Sequence, residues 1–237
     1  MCTVTFIPKS NYDFILTSNR DEAPGRNTLS PEIYSENGVQ LLYPKDAVAG
    51  GTWIGASERK RVITLMNGGF VAHESHSFYR KSRGLVVLDL LKCEDIRREV
   101  ENYNFTEIEP FTVIIVDWNT DLQLFQLVWD GDNFHFSEKP LAPKIWSSSP
   151  LYPENLKKKR EQWFSEFLFK NVSPTEGEIL NFHKTAGEGD LNESLIMDRG
   201  FVKTKSITQI IRRDKKVEMR YEDLQSGAVN TSRLHKF

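Results

Sequence analysis

A cysteine stands directly behind the initiator methionine, and a polar tetrad, Asn19, Arg20, Asp21 and Glu22, closes the next apolar run. Removal of Met1, usual when the second residue is small, would leave Cys2 with a thiol and a free α-amine on one residue. Reference pKa values are roughly 7.7–8 for that amine and about 8.5 for the thiol. One residue could then hold nucleophile and general base together. A neighbouring Arg20 would favour the thiolate, and Asp21 could anchor the ammonium or orient the amine. The plainer reading is a small buried hydrophobe followed by a surface turn. Spacing alone leaves the two readings level.

That chemistry requires the chain start to lie beside the tetrad, and a hairpin supplies this. Cys2, Val4 and Phe6 alternate with polar residues, 12–16 is β-prone, and 8–11 breaks the run between them. A turn near Lys9 and Ser10 pairs residues whose numbers sum to roughly 20. Cys2 is therefore expected opposite Ser18 or its immediate neighbours. Further along, 50–55 and 61–65 read as a strand pair around a charged turn at 58–60. Residues 84–103 read as mostly helix, with an apolar face of Leu85, Leu88 and Leu91. Residues 111–116 form a buried strand, and 123–129 and 134–136 flank Asp130-Gly131-Asp132-Asn133, a strong hairpin signal. Residues 144–146 lead into a serine run. A long helix spans 153–170, burying Leu156, Trp163, Phe164 and Phe167. Pro174 suits the first turn of another helix after a Ser173 cap. Residues 206–211 and 217–221 make a last hairpin. No repeat and no linker divides the chain, so 1–237 reads as a single domain of antiparallel sheet layered with helices.

Composition narrows the function. Hydrophobic residues make up 39% of the 237, enough for a sizeable core. The formal net charge of -2 lacks the basic excess that neutralising phosphates requires, which argues against a nucleic-acid partner. No segment approaches the roughly 18–20 apolar residues of a membrane span, and Lys9, Ser10, Asn11 and Asp13 interrupt any signal pattern. Two distant cysteines, Cys2 and Cys93, argue against a stapled secreted fold and point to a cytoplasmic location.

Other constellations carry less. His73-Glu74-Ser75-His76 lacks the i, i+4 spacing that puts two imidazoles on one helical face, so it reads as a polar loop and no metal is expected. The glycines of 187–190 lack a phosphate-loop Lys-Ser/Thr, and the basic run 157–160 reads as a solvated helix face. His183 and Cys93 read as packing residues. No nucleophile elbow or dinucleotide turn occurs, and no cofactor is expected. Trp53, Phe70, Phe78, Tyr79 and Trp146 either wall a pocket or fill the layers.

Cys2, a second strand and then Ser18-Asn19-Arg20-Asp21-Glu22 resemble the opening of the NRDE family, which includes the transport-and-Golgi-organisation proteins. Gly50-Gly51-Thr52-Trp53-Ile54-Gly55 resembles that family's Gly-Gly-Thr-Trp-x-Gly segment. Asn67 resembles the asparagine ending its next strand, and Arg83-Gly84 the pair opening its following helix. Residues 183–190 and 202–208 resemble segments of bacterial members, so the resemblance extends over nearly the whole chain. That family is similar in turn to N-terminal-nucleophile hydrolases of the cholylglycine hydrolase and penicillin V acylase type. The resemblance implies an α+β fold, a four-layer αββα sandwich of two antiparallel sheets. It also implies cleavage of a non-peptide amide by an N-terminal cysteine. Cys2 would be nucleophile and base, with Arg20 and Asp21 setting its ionisation and position. The Asn67 backbone amide would face an oxyanion, where losing a donor costs about 3–4 kcal/mol. Asn19, Trp53 and Lys205 are expected at the substrate. Two positions depart from the pattern. Ser148, in Ser147-Ser148-Ser149-Pro150, stands where those hydrolases carry an asparagine donor. Lys205 stands for a late arginine, keeping the charge and losing the fork.

Two functions follow as expectations. One is an amidohydrolase or acyltransferase acting on the C–N bond of a small-molecule amide. The other is a non-catalytic protein that binds and traffics a lipid, acyl or haem ligand in the same pocket, a reading that Ser148 favours.

Overall fold

Apolar residues on both faces of the first two strands require a layer on each side, and the computed structural model supplies both. It describes residues 2–9 and 12–235, with Cys2 described by its backbone only. Met1, Ser10, Asn11, Lys236 and Phe237 lie outside the described residues, and with them part of the turn expected near Lys9 and Ser10.

The chain runs β1 (Cys2–Pro8), β2 (Phe14–Glu22), β3 (Thr28–Glu36), β4 (Val39–Asp46), β5 (Ile54–Ser57) and β6 (Arg61–Asn67). Two helices follow, α1 (Arg83–Lys92) and α2 (Ile96–Asn102), then β7 (Phe111–Asp117), β8 (Gln123–Trp129), β9 (Phe134–Lys139) and β10 (Lys144–Ser147). Helices α3 (Glu154–Lys170) and α4 (Glu176–Thr185) precede β11 (Lys203–Arg213), β12 (Lys216–Asp223) and β13 (Val229–Leu234). One sheet has the order β10-β1-β2-β11-β12-β13, and the other is a meander from β3 to β9; every pairing in both is antiparallel.

Val4, Phe6, Phe14 and Leu16 enter the core shared with the second sheet, while Ile7 and Ile15 pack with Phe164 of α3 and with Ile179 and Phe182 of α4. Helix α1 covers β4, β5 and β6 on the far side, burying Val86, Val87, Leu90 and Leu91. The layers are thus helix, sheet, sheet, helix, the αββα sandwich that the resemblance implies. The buried Arg61 pins the end of α1 to its sheet. Its Nε meets Asp117 at 2.8 Å, and its Nη1 donates to the carbonyls of Leu90 and Cys93, both at 2.9 Å.

The register of the first hairpin runs from Cys2 opposite Arg20 to Pro8 opposite Phe14. Cys2 therefore pairs two residues beyond Ser18. A slip of two preserves the face of every side chain, because strand alternation has a period of two. The helix expected at 84–103 is two helices, since the Asp95 side chain accepts from the N–H groups of Arg97 and Arg98 and starts α2 afresh. Likewise α4 starts at Thr175 through a capping box with Glu178, not at Ser173. Of the segment expected as strand at 50–55, only Ile54 and Gly55 are strand, and the strand runs on to Ser57. Strands β3, β4 and β13 were not expected; β3 is a mostly exposed edge interrupted by Pro31, so it carries little alternation.

Candidate functional site

Alternation along β2 sends Arg20 to the inter-sheet face and Asp21 toward the helices. Arg20 is only 3% exposed. Its guanidinium lies 4.3 Å from the centre of the Trp53 ring, and its Nη2 donates to Asp46 Oδ2 at 2.7 Å. Arg26 Nε reaches the same oxygen at 2.7 Å, while Asp46 Oδ1 accepts the N–H groups of Val48 and Ala49. Burial alone would raise the Asp46 carboxyl, but Arg26, Ala49 and Arg20 together hold it below its usual range. These side chains wall a cavity of about 310 Å³, completed by Asn67, Arg83 and Glu109 among others.

The glycines before Trp53 have a steric purpose. Gly50 has φ +72, and a Cβ on Gly51 would lie 2.4 Å from the carbonyl carbon of Gly84. The β4–β5 connection and the first turn of α1 are thus in backbone contact, which Thr52 N–H reinforces by donating to Gly84 O at 3.2 Å. Thr52 Oγ1 bonds the carbonyls of Pro44 and Ile54, at 2.7 and 2.8 Å. This fixes the loop that presents Trp53 to the cavity.

On the opposite face, the buried Asp21 accepts from the Tyr152 hydroxyl and, at 2.7 Å, from Thr204 Oγ1. Burial raises its carboxyl above the ordinary range, and the Tyr152 and Thr204 hydrogen bonds oppose that rise. Tyr152 is neutral, its phenol pushed far up by burial and by Asp21. The Arg160 guanidinium lies 3.7 Å over the Tyr152 ring and donates to Thr3 Oγ1 at 2.6 Å. Helix α3 thereby reaches the residue next to Cys2.

Asn19 shares the helix-facing side. Its amide donates to the carbonyls of His183 and Leu195, which leaves Oδ1 to accept from His183 Nδ1 at 2.7 Å. His183 Nε2 then accepts from Thr5 Oγ1 at 2.7 Å, a tautomer assigned from this network. Asn19 thus holds the core rather than lining the cavity. Lys205 is also absent from the cavity wall. It is the extra residue of a bulge in β11, and its Nζ donates to the carbonyls of Pro24 and Arg26, bracing the loop that carries Arg26.

Asn67 and Ser148 come from segments in contact. Gly68 packs on Pro150, and Ser149 Oγ donates to Gly69 O at 2.6 Å. Thr3 pairs with Ser147, the last residue of β10, so Ser148 directly follows the partner of the residue next to Cys2. Ser148 is 2% exposed, and its Oγ has no partner among the described residues. It lines a second cavity of about 310 Å³ together with Met66, Gln126 and Trp146. Cys2 itself pairs with Arg20 on β2, and its neighbour Thr3 pairs with Ser147 on the other side.

Of the expected residues, Arg20, Trp53 and Asn67 share one cavity, Ser148 adjoins the next, and Asn19, Asp21 and Lys205 stand outside both. Asp46, Arg26, Tyr152 and Thr204 were missed, and Arg160, expected on a solvated helix face, is fully buried. Asp46 ends a strand without a legible pattern, and the others touch the site only through tertiary packing. Among the described residues, no three His, Cys, Asp or Glu gather to hold a metal, and no helix is long and apolar enough to cross a membrane.

A family model described as Transport and Golgi organisation 2 matches residues 1–195. The search of curated proteins found no match. Among solved structures, a mutant conjugated bile acid hydrolase from Clostridium perfringens has a TM-score of 0.68 at 10% identity, covering 100% of this chain and 93% of that one. A Caenorhabditis elegans ortholog of N-acylethanolamine-hydrolyzing acid amidase gives 0.58 at 11%, covering 90% of this chain and 95% of that one. Penicillin V acylase from Agrobacterium tumefaciens gives 0.54 at 10%, covering 97% and 90%. At such identities the likeness establishes the fold, that of the N-terminal-nucleophile hydrolases.

Proposed function

This chain belongs to the Transport and Golgi organisation 2 family, and on that premise we propose that it is an N-terminal-cysteine amidohydrolase or acyltransferase acting on a small-molecule amide. The observation that carries the reading is the register: Cys2 lies opposite Arg20, whose guanidinium walls the polar cavity. The three structural relatives are named as a conjugated bile acid hydrolase, an acylase and a hydrolysing amidase, which supports the amidohydrolase reading.

In this reading the α-amine takes the thiol proton and the Cys2 sulfur attacks the carbonyl carbon. The Asn67 backbone N–H and the Ser148 hydroxyl donate to the oxyanion. Collapse breaks the C–N bond, the amine leaves with the proton, and a thioester remains. Water, or another acceptor, then cleaves the thioester, regenerating the thiol. Arg20 favours the thiolate, while Asp21, steadied by Tyr152 and Thr204, orients the amine.

Binding of a lipid or haem without turnover is the rival, and Ser148 in place of asparagine favours it. The cavity wall is built of ion pairs, with Arg20, Arg26 and Asp46 in contact and Arg83 on Glu109. Such a wall disfavours a long apolar chain. The test is hydrolysis of a panel of small amides by the processed protein and by Cys2→Ala. Turnover that vanishes in the variant while binding persists supports the enzyme; equal behaviour of the two proteins supports the rival.

A further inference from the structure

The first turn of an α-helix leaves backbone N–H groups unpaired and carries positive potential. Here that turn reaches the cavity, since Ser82, Arg83 and Gly84 all line it. Ser82 is the N-cap of α1, yet its side chain makes no capping hydrogen bond, and its buried Oγ has no partner among the described residues. The contact between Gly51 and Gly84 holds this helix end against the loop that carries Trp53.

Trp53 supplies a second, independent observation. It is 5% exposed and lines the same cavity, and its indole N–H has no partner among the described residues. A buried donor left open is costly, so an acceptor in the cavity would recover what the wall forfeits. Three carboxylates line the cavity, each facing a guanidinium: Glu22 Oε2 lies 3.7 Å from Arg20 and 4.0 Å from Arg26. Arg83 Nη2 meets Glu109 Oε2 at 2.8 Å, while Glu109 Oε1 takes Ser75 Oγ and His73 Nε2. Asp46 is saturated by two guanidiniums and two backbone N–H groups. The buried polar side-chain atoms left without a partner here are an indole N–H and a hydroxyl, beside a helix start, and all can donate.

We infer that this cavity seats a carboxylate, held by Arg83, the first turn of α1 and the Trp53 indole N–H. The inference rests on the amidohydrolase reading in one respect: the carboxylate belongs to the amide substrate. An ionised carboxylate accepts only, through two oxygens, which matches a wall of donors. A cation would meet the Arg20, Arg26 and Arg83 guanidiniums that line the same wall. The cavity, about 310 Å³, suits a small polar molecule.

The test measures binding to the full chain carrying Cys2→Ala, by titration calorimetry. Succinamate and N-acetylglycine carry an amide and a carboxylate; succinamide and N-acetylglycinamide are their neutral counterparts. The expected result is about tenfold tighter binding of each carboxylate, roughly the effect of one charge-assisted hydrogen bond. That preference should disappear in Arg83→Met and shrink in Trp53→Phe, which keeps a ring beneath Arg20 but removes the N–H. Equal affinities for each pair would overturn the inference. So would a preference unchanged in Arg83→Met or, should that variant not fold, in Trp53→Phe. Turnover of no amide by the Cys2 protein, alongside a retained carboxylate preference, would defeat the amidohydrolase reading and leave the binding site standing.

Discussion

Arg20 and Asp21 are consecutive in β2 yet work in separate compartments: Arg20 meets Asp46 between the sheets, and Asp21 meets Thr204 and Tyr152 beneath the helices. Strand alternation makes this division unavoidable. The tetrad is therefore two devices woven into one strand. Its even-numbered arginine walls the cavity opposite Cys2, and its odd-numbered Asn19 and Asp21 bind the strand to α4, Tyr152 and the 195–204 segment. Under the proposed function, the second device governs where the amine and the strand sit.

Tyr152→Phe tests that device. Removing a donor from a carboxylate disfavours its ionised form, so the Asp21 pKa should rise further above its ordinary range. The acidic limb of kcat/KM should move to higher pH, and stability should fall by about 1.5–3 kcal/mol, the usual worth of a hydrogen bond to a charged group. A pH–rate profile and denaturant unfolding measure the two effects. An unmoved acidic limb would separate Asp21 from the chemistry.

His183 predicts an acid sensitivity of the fold. Burial, with Arg160 adding to it, lowers its pKa from 6.5 to about 3. A depressed histidine is kept neutral by the fold, so its stability contribution is complete above the unfolded value of about 6.5. That contribution falls as the pH drops from there toward about 3, because the unfolded chain takes up the proton first. Urea midpoints measured across this window should decline in the wild type and decline less steeply in His183→Gln.

The Gly51–Gly84 contact predicts a backbone lesion. Gly51→Ala places a methyl 2.4 Å from a carbonyl carbon that cannot turn aside. Destabilisation of about 1–3 kcal/mol is expected, typical of overpacking, together with a displaced start of α1. Gly25→Ala meets nothing within 4 Å and serves as the near-neutral control. Thermal unfolding of both proteins checks the difference.

The two cysteines should differ in reactivity. Burial pushes the Cys93 thiol up to about 11, despite Arg61 Nη1 lying 3.1 Å from its sulfur. Little thiolate exists there at pH 8. Iodoacetamide at that pH should modify Cys2 well before Cys93, as peptide mapping would show.

Much of this arrangement was legible before any coordinates. The inner strands announced themselves through apolar residues on both faces, and the alternation of β1 and β2 brought Cys2 to the tetrad within two residues of its observed partner. The elements that escaped were β3, an edge strand, β13, an exposed one, and β4, which is buried on both faces and so shows no alternation. The site was legible as far as local pattern extends. Arg20, Trp53 and Asn67 share a cavity, but the register and the glycine contact that join them are tertiary. Asn19 and Lys205 were misdirected for one reason. Each carries a polar group suited to a ligand, and each spends it on backbone carbonyls that no sequence pattern reveals.

The central claim is that Cys2 acts as an N-terminal nucleophile, and intact-mass spectrometry tests it most directly. The purified protein is incubated with an electrophilic amide or β-lactam probe, weighed and mapped. The account predicts a chain without Met1 that gains one probe equivalent on Cys2, with no gain in Cys2→Ala. A chain that keeps Met1, or a processed chain that takes up no probe at Cys2, would contradict it.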